Sequence, residues 1–127
     1  MTNVDALLQQ DIPLVRRLLV STIRTELDRF GFTRGVLGLS GGVDSSLAAF
    51  LAAEALGPEN VRAVLMPYRT SAPESAADAL EVIHILGLDH VTVDITGMVE
   101  PLFAQFPNMS QRRRGNVMAR ARMIVLY

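Results

Sequence analysis

The stretch VLGLSGGVDSSLAAF, residues 36–50, constrains this chain more than any other. A short apolar run breaks at two glycines, passes one aspartate set among serines, and resumes as an alanine-rich apolar segment. Adjacent glycines permit positive φ and let another molecule approach the backbone closely. A helix starting just after them presents free N–H groups and the positive end of its dipole. The stretch reads as strand, tight loop and helix. GVLGLS (35–40) is expected as a short buried strand, and residues 44–56 as a helix closed by Gly57-Pro58.

The alternation repeats on either side. Residues 12–30 place Val15, Leu18, Leu19, Ile23, Leu27 and Phe30 at steps of three and four, the spacing of an amphipathic helix. Asp11 can cap it, Pro13 suits its first turn, and Gly31 can end it. VRAVLMP (61–67) reads as a second strand. Residues 71–87 open with a Ser71/Glu74 capping box, turn Ala76, Leu80, Ile83 and Leu86 inward, and stop at Gly87. HVTVDI (90–95) alternates and is β-branched, so it reads as a third strand. A short helix is expected over 97–106, and a longer one over 110–127. Strands alternating with helices imply an α/β fold: a Rossmann-like parallel sheet with helices on both faces.

The chain has 127 residues, half hydrophobic and a fifth charged, which suits one folded domain over 1–127. Its last five residues, MIVLY, lie within an apolar helical run, and three strands make a small sheet. Both features suggest the front portion of a longer protein. No apolar run is long enough to span a bilayer, and MTNVDALLQQD lacks the basic and apolar regions of a secretion signal. Without cysteine there is no disulfide framework or thiolate metal site. The expected compartment is the cytoplasm.

Charge is divided unevenly. All 13 acidic residues lie in residues 1–100 with 7 arginines, for −6; residues 101–127 carry 5 arginines and no acid, for +5. The C-terminal part should seek anions, unless its arginines form a solvated basic surface. Nucleic acid is not the expected partner, because the cluster lacks interleaved aromatics and the chain is acidic overall. There is no lysine at all, which excludes a Walker-type loop, whose lysine holds phosphates.

Phosphate recognition remains open to residues 40–46. In a parallel α/β sheet, ligands sit beyond the carboxyl ends of the strands. There the loop's amides, the helix dipole and the hydroxyls of Ser40, Ser45 and Ser46 make a phosphate cradle. An acid beside phosphate is repulsive unless Mg²⁺ lies between, held by Asp44 and phosphate oxygens. The plainer reading of Asp44 is a helix cap. Farther along, residues 117–126 are apolar apart from Arg120 and Arg122, so this helix is expected to be buried and both arginines partly desolvated. Such arginines need a bidentate anionic partner, either a ligand or a carboxylate of the acid-rich first part. Arg113, Asn116 and Arg120 share one helical face that can receive an anionic ligand. His84 lies between two isoleucines and reads as structural.

The string Ser40-Gly41-Gly42-Val43-Asp44-Ser45 resembles the pyrophosphate loop of the ATP pyrophosphatases. That resemblance implies cleavage of ATP between the α and β phosphates, with the loop holding pyrophosphate. Arg114, Gly115, Asn116, Ala119, Arg120, Arg122, Met123 and Tyr127 together resemble the signature of the ammonia-dependent NAD synthetases. MPYRTSAPESAADAL (66–80) resembles the segment after that family's second strand. The likeness runs from about residue 12 to the end. It implies ATP, deamido-NAD (nicotinic acid adenine dinucleotide) and ammonia as substrates, an adenylated carboxylate intermediate, and AMP and pyrophosphate as products. It further implies ATP contacts from Gly38, Leu39, Ser40, Gly41, Gly42, Val43, Asp44 and Ser45, Mg²⁺ on Asp44, dinucleotide contacts from Arg120, Asn116 and Arg113, no side chain assigned as acid or base, and a homodimer. An isolated chain of this length is expected to be inactive, because the family is roughly twice as long. Two positions depart from the family pattern: Leu65 stands where an arginine near the adenine is common, and Glu26 where an aromatic is. Another pyrophosphate-loop enzyme of the GMP synthetase type, or a non-catalytic nucleotide-binding module, remains the alternative.

Overall fold

A computed structural model describes residues 11–127. Apart from Asp11, the segment read for a secretion signal lies outside the described residues. Helix α1 spans Ile12–Arg29. Asp11 caps it by accepting from the Leu14 amide at 3.1 Å, Pro13 lies in the first turn, and Gly31 follows at φ 75°. Its buried stripe runs through Val20, with Ile23 and Leu27 half-buried, whereas Leu18 (59 % exposed), Leu19 and Phe30 point outward. The expected inward set is therefore too broad. Among the described residues α1 packs against one neighbouring helix, edged by an Arg16–Glu54 ion pair at 2.7 Å and by Arg24 Nε donating to the Ala55 carbonyl. One contact line buries one narrow stripe.

Strand β1 (Gly35–Gly38) leads into α2 (Val43–Leu56), a short 3-10 turn (Pro58–Asn60) and β2 (Val61–Leu65). Helix α3 (Pro73–Leu86), β3 (Asp89–Thr92), α4 (Thr96–Gln105) and α5 (Gln111–Leu126) follow. The three strands form one parallel sheet in the order β1-β2-β3, with Gly35 opposite Val61 and Arg62 opposite Asp89. Beyond the strand ends the ladder continues through Leu39 N–H to the Val64 carbonyl and Val93 N–H to the Leu65 carbonyl.

Helices α2 and α3 cover one face of the sheet. Leu39, Val61, Ala63 and Leu65 pack there against Ala49 and Ala53 of α2 and Ala79 and Ile83 of α3. Small residues at the contact let helix and sheet approach closely, which explains the alanine-rich sequence of α2. Helix α5 crosses to the other face, where Leu126 lies near Gly38. Helices thus lie on both faces, as expected, but the second is covered only in part, and Val36 is 49 % exposed.

Two local readings need correction. Ser71 and Glu74 make no capping box: Ala72 occupies the N-cap of α3, without a side-chain cap. Ser71 Oγ instead accepts from the Tyr68 amide at 3.0 Å, within a tight turn closed by the Ser71 amide on the Tyr68 carbonyl. The buried stripe of α3 is Ala79–Ile83, whereas Leu80 is 44 % exposed and Ala76 is exposed. The helix does end at Gly87 in the left-handed conformation. His84 is exposed rather than packed.

The expected burial of the last helix is also overturned. Only Ala121 of α5 is buried; Met123 and Tyr127 are exposed, and Ile124 is 67 % exposed. Among the described residues, α5 meets α4 and the end of β1 and little else. A second small core forms there from Val99, Phe103 and Ala121, with Tyr68, Met109, Val117 and Met118 around it.

The placement of α3 has a measurable consequence. Ile83→Ala should cost about 2–4 kcal/mol in urea unfolding, because it empties a packed site. Leu80→Ala should cost less than about 1 kcal/mol, because the side chain is already half in water. Equal losses would contradict the observed face.

Candidate functional site

The carboxyl ends of all three strands open into one cleft of about 580 Å³. Gly38, Leu39 and Ser40 line it from β1, Leu65 to Tyr68 from β2, and Thr92 from β3. Ser71, Ser75 and Leu80 close it from the α3 side, and Arg122 reaches it from α5. Most of this lining is apolar, with hydroxyls and one guanidinium added.

The glycine-serine loop forms one end of the cleft. Gly41 sits at φ 85°, and a Cβ there would lie 2.3 Å from the Ser75 carbonyl oxygen. The loop therefore rests directly on the first turn of α3. Gly42 is the N-cap of α2 and supplies no side chain. Serines hold the loop's shape: Ser40 N–H donates to Ser45 Oγ at 3.2 Å, and Gly42 N–H to Ser40 Oγ at 3.3 Å. The two hydroxyls lie 3.1 Å apart. Beyond them, the amides of Val43, Asp44 and Ser45 have no protein acceptor among the described residues. Three open amides at a helix N-terminus make a mouth suited to an oxyanion.

Asp44 lies in the first turn of α2, is exposed, and has no ion pair among the described residues. It is not the cap, since no side chain caps α2. No group of three or more acidic or histidine residues able to cage a metal occurs among the described residues. A single free carboxylate fits Mg²⁺ only where a ligand's own oxygens complete the shell.

The arginine-rich helix is placed less simply than its pattern suggests. Arg113, Asn116 and Arg120 are exposed and do not line the cleft. None of the five C-terminal arginines pairs with a carboxylate among the described residues, so the internal ion-pair alternative finds no support there. Arg122 does reach the cleft, and its Nε donates to the Met66 carbonyl at 2.9 Å. Arg114 donates to the carbonyls of Met109 and Pro107 and stacks 5.1 Å over Phe103. Met66, Tyr68, Ser71 and Ser75 were not among the residues singled out for binding, and Arg122 was expected only to need an anionic partner, not to line the cleft. The signal for the first four was their place after a strand end, where clefts of this fold open.

These motifs can be set beside known proteins. Residues 15–127 match the model of the NAD synthase family. The chain belongs to that family. Its sequence is 55 % identical over 114 residues to the NH3-dependent NAD(+) synthetase of Trichlorobacter lovleyi, covering 90 % of this chain and 42 % of that protein. The chain thus spans well under half the length of that curated relative. An NH3-dependent NAD synthetase from Campylobacter jejuni, solved with a nitrate ion, superposes with a TM-score of 0.86 at 34 % identity, over 94 % of this chain and 52 % of that one. An NMN synthetase from Francisella tularensis gives 0.83 at 31 % identity, over 94 % and 50 %. The Rossmann-like α/β fold is common to all. No helix among the described residues is long and apolar enough to cross a membrane.

Gly41 provides the sharpest stability test of the loop. Gly41→Ala should cost at least about 2 kcal/mol, since it combines a strained φ with a backbone collision. Gly31→Ala shares the positive φ but meets nothing within 4 Å. It should cost only about 1 kcal/mol. Denaturant midpoints of the two variants measure the difference.

Proposed function

We propose that this chain carries the ATP-binding half of an ammonia-dependent NAD synthetase. One observation carries the reading: the open amides of Val43, Asp44 and Ser45 follow closely on Ser40, which lines a cleft of about 580 Å³. On this reading the β,γ-pyrophosphate of ATP rests on Gly38–Ser45 and the nucleoside lies toward Met66 and Tyr68. Asp44 would hold Mg²⁺ together with the phosphate oxygens, and the ion would neutralise charge on the phosphates. Arg113, Asn116 and Arg120 would receive the anionic groups of deamido-NAD on their exposed face.

The reaction is two displacements. The nicotinate carboxylate oxygen attacks the α-phosphorus of ATP, and pyrophosphate leaves. Ammonia then attacks the acyl carbon, AMP leaves, and the amide of NAD remains after a proton is lost to solvent. The chain's own contribution is alignment and charge stabilisation by loop and arginines, with no side chain assigned as acid or base. Residues 1–127 form a single domain that supplies this half of the site, in a cytoplasmic, homodimeric enzyme. Further contacts come from the length that the relatives have beyond the matched region.

The test is direct. The chain should bind Mg·ATP, and Asp44→Asn should weaken that binding about tenfold while leaving the Mg²⁺-free affinity little changed. With deamido-NAD and ammonia added, the 127 residues alone should release little or no AMP and NAD by chromatography. Substantial NAD formation would show that the half-site reading is wrong. Failure to bind Mg·ATP would remove the nucleotide assignment altogether. Because an NMN synthetase shares this fold, the deamido mononucleotide belongs in a parallel reaction. AMP release with that acceptor alone would move the assignment to the shorter substrate.

A further inference from the structure

The wall of the cleft after β2 is not held by its own strand. From Pro67 onward the chain leaves the sheet, and apart from the Tyr68–Ser71 turn its next residues are tied to α4 or to the turn that leads into it. The Pro67 carbonyl accepts from the Ile95 amide at 2.9 Å. The Arg69 amide donates to Thr96 Oγ1 at 3.0 Å. Thr96 in turn donates its amide to Asp94 Oδ1 at 2.8 Å, and its hydroxyl holds the Asp94 carboxyl below the usual carboxylate range. The Tyr68 ring meets Phe103 edge to face at 6.3 Å.

Two side chains of this wall converge on one carboxylate. The Tyr68 hydroxyl donates to Glu100 Oε1, and Arg69 Nε lies 3.3 Å from the same oxygen. The Arg69 guanidinium also sits 5.9 Å from the Tyr68 ring centre. Glu100 is only one-third exposed. It lies on α4 and does not line the cleft, whereas Tyr68 does. Apart from the ladder and turn bonds, Tyr68 would be an aromatic side chain free to swing into the cleft or out to solvent. The carboxylate removes that freedom before any ligand arrives.

We propose that Glu100 is a positioning residue for the nucleoside end of the site: through Tyr68 and Arg69 it pre-forms the cleft wall against which the base and ribose pack. The proposal rests on the ATP reading given above. A preordered wall spares a ligand the entropy of fixing it, so loss of the anchor appears as weaker binding of whatever touches the wall. A ligand that touches only the loop is indifferent to it. That difference separates positioning from general support of the fold.

The experiment compares two probes on the full chain by calorimetry, Mg·ATP and Mg·pyrophosphate, against wild type, Glu100→Ala, Glu100→Gln and Tyr68→Phe. Glu100→Ala and Tyr68→Phe should weaken ATP about five- to tenfold and shift pyrophosphate by less than about twofold. Glu100→Gln keeps an oxygen acceptor for the hydroxyl and should recover most of the ATP affinity. Tyrosine emission gives an independent readout, because the chain has two tyrosines and no tryptophan. A carboxylate bonded to a phenol quenches it, so Glu100→Ala should brighten the emission without ligand. Equal weakening of both probes, or none, overturns the proposal and leaves the ATP reading intact. Unchanged emission in Glu100→Ala also overturns it, by showing that the anchor is not made in solution. If wild type binds pyrophosphate but not ATP, or neither, the nucleotide reading falls and Glu100 loses its role with it. Tyr68→Phe keeps the ring on Phe103, so it serves as the variant that folds should Glu100→Ala not.

Discussion

The contact between Gly41 and the backbone of Ser75 sets the geometry on which the rest of the site depends. No other side chain fits at Gly41, because a single added carbon would fall within bonding-clash distance of the Ser75 carbonyl. That closeness puts the first turns of α2 and α3 side by side at the carboxyl edge of the sheet. Both helices then direct the positive ends of their dipoles toward the same cleft. The serines of the loop complete the arrangement by bonding to each other and to the loop's inner amides, leaving the outer amides open. On the proposed reading, anion affinity would follow from backbone geometry, which is how a chain without lysine could offer a phosphate site.

Much of this was legible in the sequence, for physical reasons that differ by element. The loop was readable because glycine pairs, serines and an apolar strand before a helix admit few alternatives. The caps at Asp11, Gly31 and Gly87 were readable because a cap is a local bond or a local φ. What failed was the reading of faces. Leu18, Leu19, Ala76 and Leu80 obey helical spacing as well as Val20, Ala79 and Ile83 do, and spacing cannot say how wide the contact line is. Only the neighbours decide that. Ser71 failed for a related reason: its hydroxyl is taken by the Tyr68 amide, a bond that the capping-box pattern does not reveal.

The arginine helix shows the same division between motif and environment. Its composition identified a family, yet its apolar residues misled about burial, since Ile124 and Tyr127 lie in solvent among the described residues. Arg113, Asn116 and Arg120 keep the shared face that their spacing requires. Arg122, on the opposite side of the helix, is the one that enters the cleft. A periodic pattern describes a cylinder, and what lies against each side of the cylinder is information carried elsewhere in the chain.

The bond from Arg122 to the Met66 carbonyl joins positions 56 residues apart. Such a tie closes a large loop, and large loops are slow and entropically expensive to close. The face of the sheet under α2 and α3, by contrast, is covered without α5, which lies on the other face. The Ser40 end of the cleft is therefore built from chain near in sequence, and its Arg122 lip from chain far along it. If the cleft takes a nucleotide as proposed, its grip on the charged tail comes from a local stretch of chain and its reading of the rest from a distant one.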